Sequence, residues 1–130
     1  MRTDSTIKEL IMKLSNTIPL IALFLVSGCS VSNKQQYEGY FTYGSEVSDF
    51  RSCGTNEIFW LNGEHKQMEV IEQASLEKAI KVGEPYQEIY VLFSGFAENR
   101  KPVGFEEETN GLIYMTKLIK SSSQLTESCK

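Results

Sequence analysis

Residues 37–130 of this chain are predicted to be mainly β: a small five-stranded barrel with one α-helix between the third and fourth strands. Two observations lead there. Short aromatic and β-branched runs recur between clusters of turn residues, and a single segment of helical periodicity follows the third of them. A closed barrel is favoured over an open antiparallel sheet with the helix on one face, because closure hides edges that would otherwise invite pairing.

The N-terminus comes first. Thr17–Val26 is an apolar stretch without charge, long enough for the core of a secretory signal and too short for a permanent transmembrane helix. Arg2, Lys8 and Lys13 provide its basic flank. Asp4 and Glu9 are unusual so early in a signal, and Met12 makes a more ordinary start of translation. Val26-Ser27-Gly28-Cys29 resembles the lipobox of bacterial lipoproteins. That resemblance implies that residues 1–28 are a cleaved signal peptide and that Cys29 carries diacylglycerol and a further acyl chain. Several chains anchor firmly, at about 0.8 kcal/mol per buried methylene. Ser30 stands where retention in the inner membrane would want Asp, so the expected location is the periplasmic face of the outer membrane, with outer-membrane lipid as the first partner.

Residues 29–36 read as a lipidated polar tether and 37–130 as the barrel domain. Tyr37–Tyr43 and Glu46–Cys53 are the first two strands, with a bend at Gly44-Ser45. Glu57–Leu61 is the third, bounded by turn chemistry at Gly54-Thr55-Asn56 and Asn62-Gly63. Gln67–Val82 is the helix. Met68, Ile71, Ser75, Ala79 and Val82 recur at three- and four-residue steps, Leu76 and Ile80 widen the stripe, and Gly83 with Pro85 stops it. Tyr86–Phe96 has apolar residues at both parities, as in a strand buried on both faces or curved between two surfaces. A polar loop over 97–110 leads to the last strand, Gly111–Lys120, and a serine-rich tail.

A helix between the third and fourth of five strands is the arrangement of the OB-fold. Gly39-Tyr40-Phe41-Thr42-Tyr43-Gly44, followed by Phe50-Arg51-Ser52-Cys53, resembles the OB-type C-terminal domain of NlpE-like envelope lipoproteins. The resemblance spans Gly39 to Phe96 and implies the barrel and an envelope setting. That family's N-terminal domain with its Cys-x-x-Cys pair has no counterpart in this sequence, so copper sensing and stress signalling do not come with it.

Cleavage removes three of the 13 basic and two of the 17 acidic residues, leaving a 102-residue mature chain with a net charge of −5. That length suits one small domain, and the charge argues against nucleic acid as a partner. Cys53 and Cys129, an even pair in an oxidising compartment, read as a disulfide. Closing a loop of about 75 residues would stabilise the domain by roughly 4 kcal/mol.

No nucleophile elbow, phosphate-cradling glycine loop or zinc-type Cys/His spacing is present, so the expectation is a protein that is not an enzyme and carries no cofactor. His65, the only histidine, and Met68 offer an imidazole and a thioether suited to copper. A histidine in a turn-rich approach to a helix is ordinarily solvated, so no metal site is assigned. Glu106-Glu107-Glu108 reads as a solvated charge run. Trp60 and Phe59 alternate, so one of them comes near the surface. Trp60 and the loop residues Arg100, Lys101 and Phe105 are the candidate binding residues, because OB barrels often bind with the loop between their last two strands. The expected function is a lipid-anchored binding or envelope-interaction module, its partner an envelope protein. The alternatives are a small-ligand or copper carrier and a periplasmic inhibitor of lysozyme-type hydrolases.

Overall fold

A computed structural model describes residues 34–125 and Cys129. The predicted signal peptide, the lipidation residue Cys29 and the tether up to residue 33 lie outside the described residues. Five strands follow: β1 (Gln35–Gly44), β2 (Val47–Ser52), β3 (Ile58–Gly63), β4 (Ile89–Glu98) and β5 (Leu112–Ser122). The helix α1 (His65–Val82) falls between β3 and β4. The strands close in the order β1-β2-β3-β5-β4. Only the β3–β5 pair is parallel; the other four are antiparallel. The predicted five-stranded barrel with its single helix is therefore present, with an OB-like arrangement. Among the described residues, no helix is long and apolar enough to cross a membrane.

Two strands run further than their side chains suggest. Gln35 and Gln36, expected in the tether, pair with Gly95 and Ser94 of β4. Ser121 and Ser122, expected in the tail, pair with Val91 and Tyr90. In both places a ten-residue β4 offers backbone partners, and ladder hydrogen bonds outweigh the weak strand preference of Gln and Ser. β4 starts later than predicted. Tyr86 has φ 59°, which no strand tolerates, so pairing begins only at Ile89. The helix stop is as expected: Gly83 takes φ 80° and its N–H donates to Ala79 O at 2.8 Å.

The barrel interior is filled by alternate residues of each strand. Phe41, Phe50, Leu61, Ile89, Val91, Phe93, Ile113 and Met115 are all buried, and the Phe50 and Phe93 rings meet edge to face at 5.0 Å. α1 closes one end with Met68, Ile71 and Ser75, about one residue per turn. Its apolar stripe is narrower than predicted: Leu76 and Ile80 are 42% and 81% exposed. The barrel mouth needs only a thin line of contact, and the small buried Ser75 lets the helix approach closely. Its hydroxyl donates to Gln87 O at 2.8 Å and accepts from the Tyr43 N–H at 3.0 Å. The helix thereby pins the end of β1 and the approach to β4 in one contact.

The double-parity pattern of β4 has a clear use. Ile89, Val91 and Phe93 enter the barrel core, while Tyr90 and Leu92 pack in a second, outer cluster with Tyr40, Cys53 and Cys129. The Cα atoms of Cys53 and Cys129 are 4.7 Å apart and their sulfurs lie at bonding distance. The tie brings Cys129 over this cluster. Beneath it the Tyr90 hydroxyl donates to Glu38 Oε1 at 2.6 Å, and that bond to a carboxylate, together with burial, pushes the Tyr90 pKa up to about 12.

Candidate functional site on the outer barrel face

Strand alternation that sends Phe41, Phe50 and Leu61 inward sends Tyr40, Thr42, Val47, Asp49, Arg51 and Ile58 outward on β1, β2 and the start of β3. With Tyr86 and Glu88 from the approach to β4, these residues line a groove of about 230 Å³. Its two ends are chemically different. At one end Arg51 donates to both carboxylate oxygens of Glu88, at 2.9 and 3.0 Å, and lies 4.7 Å from the centre of the Tyr40 ring. Ile58 stands directly across from Arg51 at this end, and at the other Val47 and Tyr86 offer apolar surface, Val47 being paired with the Gly44 that the Tyr86 ring crosses.

Tyr86 is the groove's least ordinary wall. A non-glycine residue at φ 59° costs on the order of 1 kcal/mol or more, and an aromatic one is rarely found there. Its ring passes over Gly44, where a Cβ would come 2.5 Å from the ring edge, so the missing side chain is what admits it. The ring stays about half exposed.

The loop between β4 and β5 borders the same face. Asn110 ties it to β3 twice, accepting the Ile58 N–H at its side-chain oxygen (2.9 Å) and donating its own N–H to Ile58 O (2.7 Å). Residues Gly104–Glu108 form a 3-10 turn, and Glu108 lies close enough to Asp49 to raise its pKa. Burial is the larger cause of that rise, with Glu108 adding to it.

Sequence reasoning treated Glu106-Glu107-Glu108 as a uniform solvated run, and the loop corrects that. Glu106 organises it. Both Glu106 oxygens accept from Arg100 at 2.7 Å, and one also accepts the Val103 N–H at 3.0 Å. These bonds, Arg100's first, hold the Glu106 carboxyl down at about 2. Arg100 also stands 3.6 Å from Glu98, which accepts from Asn62, whose side-chain oxygen accepts the Trp60 indole N–H at 3.2 Å. Trp60 and Arg100 are therefore joined, but as structural members whose polar groups are already used. Lys101 and Phe105 remain at the surface, Phe105 about half exposed beside an exposed Val103. The sequence reading missed Tyr86, Asp49, Val47 and Ile58. Alternation against Ser48 and Phe50 could have placed Val47 and Asp49 outward, whereas nothing in the sequence marks a positive φ at Tyr86.

Because the Glu106 pKa is lowered on folding, its contribution to loop order is present above the ordinary carboxylate range and lost as pH falls toward 2. In an NMR titration the Glu106 carboxyl should show a midpoint near 2, returning toward 4.5 in Arg100→Gln. A wild-type midpoint near 4.5 would mean that the pair does not hold the loop in solution.

His65 and Met68 do come together, lining a second pocket of about 320 Å³ with Trp60, Asn62 and Glu72 at the N-terminal end of α1. Met68 is committed to the core. Among the described residues, no group of three or more His, Cys, Asp or Glu side chains is placed to hold a metal ion.

The fold defines an OB-like barrel whose first three strands carry an open groove. No protein-family model matches the chain, and neither a curated protein nor a solved structure does.

Proposed function

We propose that this chain is a non-enzymatic binding module of the bacterial envelope, lipid-anchored through Cys29 on the periplasmic face of the outer membrane, that contacts an envelope protein. The observation that carries this reading is the groove on the outer face of β1–β3, bordered by a loop that Arg100, Glu106 and Asn110 hold in place. A preorganised loop beside an open face lowers the ordering cost of binding. The lipobox-like Val26–Cys29 supports the anchor, and the resemblance of Gly39–Cys53 to NlpE-like lipoproteins supports the envelope setting.

Photo-cross-linking in intact cells tests it. A photoreactive residue at Thr42 or Phe105 of the lipoprotein should give one discrete protein adduct, and the same residue at Ile80, on the far flank of the helix, should not. If all three positions give the same smear or nothing, the module reading falls. A copper-dependent rise in melting temperature that disappears in His65→Ala would instead favour the carrier reading, with the second pocket as its site.

A further inference from the structure

The outer groove is a mostly apolar trough with an unbalanced charge at one side. Four charged groups face or border it: the carboxylates of Asp49, Glu88 and Glu108 and the guanidinium of Arg51. Arg51 donates its Nε and Nη2 groups to Glu88. Among the described residues, neither Asp49 nor Glu108 takes part in a salt bridge or a side-chain hydrogen bond, although Asp49 is partly buried on the sheet face. Two carboxylates near each other, with no cation between them, contribute nothing favourable to the fold. They create a place where an incoming positive charge is stabilised by both. Next to Asp49 along β2, Val47 forms an aliphatic floor with the Tyr86 ring as its wall, since that ring crosses Gly44, the partner of Val47. An alkyl stem ending in a positive charge matches this pairing of apolar trough and acidic end.

We infer that the groove receives a lysine or arginine side chain of the partner polypeptide, its stem lying on Val47 against Tyr86 and its charge between Asp49 and Glu108. This rests on the module reading above and names the chemistry of its contact. It also accounts for features that folding alone does not require. Tyr86 occupies a costly backbone conformation and still leaves its ring half exposed, and Gly44 is left without a side chain beneath it. The groove is too small for a folded element and suits one or two side chains.

The test uses the full-length lipoprotein, isotope-labelled in detergent micelles, titrated with a blocked Ser/Gly peptide carrying one lysine next to one leucine. The control peptide replaces the lysine with norleucine. The lysine peptide should give saturable amide shifts centred on Val47, Asp49 and Tyr86, with the norleucine peptide on the order of tenfold weaker. The double variant Asp49→Asn/Glu108→Gln should bind the lysine peptide no better than the wild type binds norleucine. Its unfolding midpoint should be equal to or above wild type, because a repulsion is removed, so lost binding cannot be ascribed to lost folding. Equal binding of both peptides, an unchanged double variant, or no saturable shift would overturn the inference. In cells, a cross-link at Thr42 that persists in the double variant would overturn this inference while leaving the module reading intact. Absence of any adduct from Thr42 and Phe105 would sink both.

Discussion

Replacing both Cys53 and Cys129 with serine is expected to lower the stability of the domain by about 4 kcal/mol, which for a domain of this size is a fall in Tm of roughly 15–30 °C. The bridge spans a sequence separation of 76 and encloses β3, α1, β4 and β5, so its loss releases a long loop in the unfolded chain. The folded state loses something too. Cys129 is buried against Tyr40 and Tyr90, and the bridge to Cys53 holds it over that cluster. Both cysteines are changed so that no free thiol can pair between molecules. The comparison is thermal unfolding of the wild type with and without reductant, beside the double variant. Reduced wild type and variant should melt together, well below the oxidised protein. If all three melt within a few degrees, the bridge is not formed or does not constrain the unfolded chain. The outcome bears on function, because Arg51 lies between Tyr40 and Glu88 at one end of the outer groove. An uncovered Tyr40 would loosen that end first.

How much of this was legible beforehand depends on which force decides each feature. Strand alternation and helical periodicity report burial, and they placed all five strands, the helix and its glycine stop. The pairing of Cys53 with Cys129 followed from their even number and the expected oxidising compartment. The ends of β1 and β5 were not legible, since Gln35 and Ser122 join the sheet through backbone groups that every residue shares. The width of the helix stripe was overread at Leu76 and Ile80. Periodicity shows which residues could face a core and not how wide a surface the barrel presents. At the site the difference is sharper. Trp60 is singled out by strand alternation and Arg100 by its place in the loop between the last two strands, and the structure engages them in hydrogen bonds to Asn62 and Glu106. The groove was hidden because it is assembled from β1, β2, β3 and two residues just before β4, Tyr86 and Glu88, brought together only by closure of the barrel. Asp49 gains its character from burial and from Glu108, which lies 59 residues further along the chain.

Gly39→Ala is expected to cost about 3 kcal/mol or more, for a single added methyl group. A Cβ at this position would run into the Arg51 carbonyl and come 2.8 Å from the Phe50 ring. Neither neighbour can retreat cheaply. Phe50 is fully buried against Phe93, and the Arg51 carbonyl belongs to the β1–β2 ladder. Gly39 cannot move away either, since it is paired with Ser52 on one side and Val91 on the other. β1 is shared between β2 and β4 along this stretch, and the barrel closes only if the strand can coil tightly where the two ladders meet. Gly54→Ala is the matched control. Gly54 has φ 76° with open space where the Cβ would go, so its cost is conformational only, about 1 kcal/mol. Urea unfolding of both variants should show Gly39→Ala several-fold more destabilising. Equal effects would mean that backbone conformation, rather than crowding across the β1–β2 ladder, is what calls for glycine in the opening strand. In that case closure would tolerate a wider barrel, and the spacing between β1 and β2 that sets the floor of the outer groove would not be fixed by Gly39.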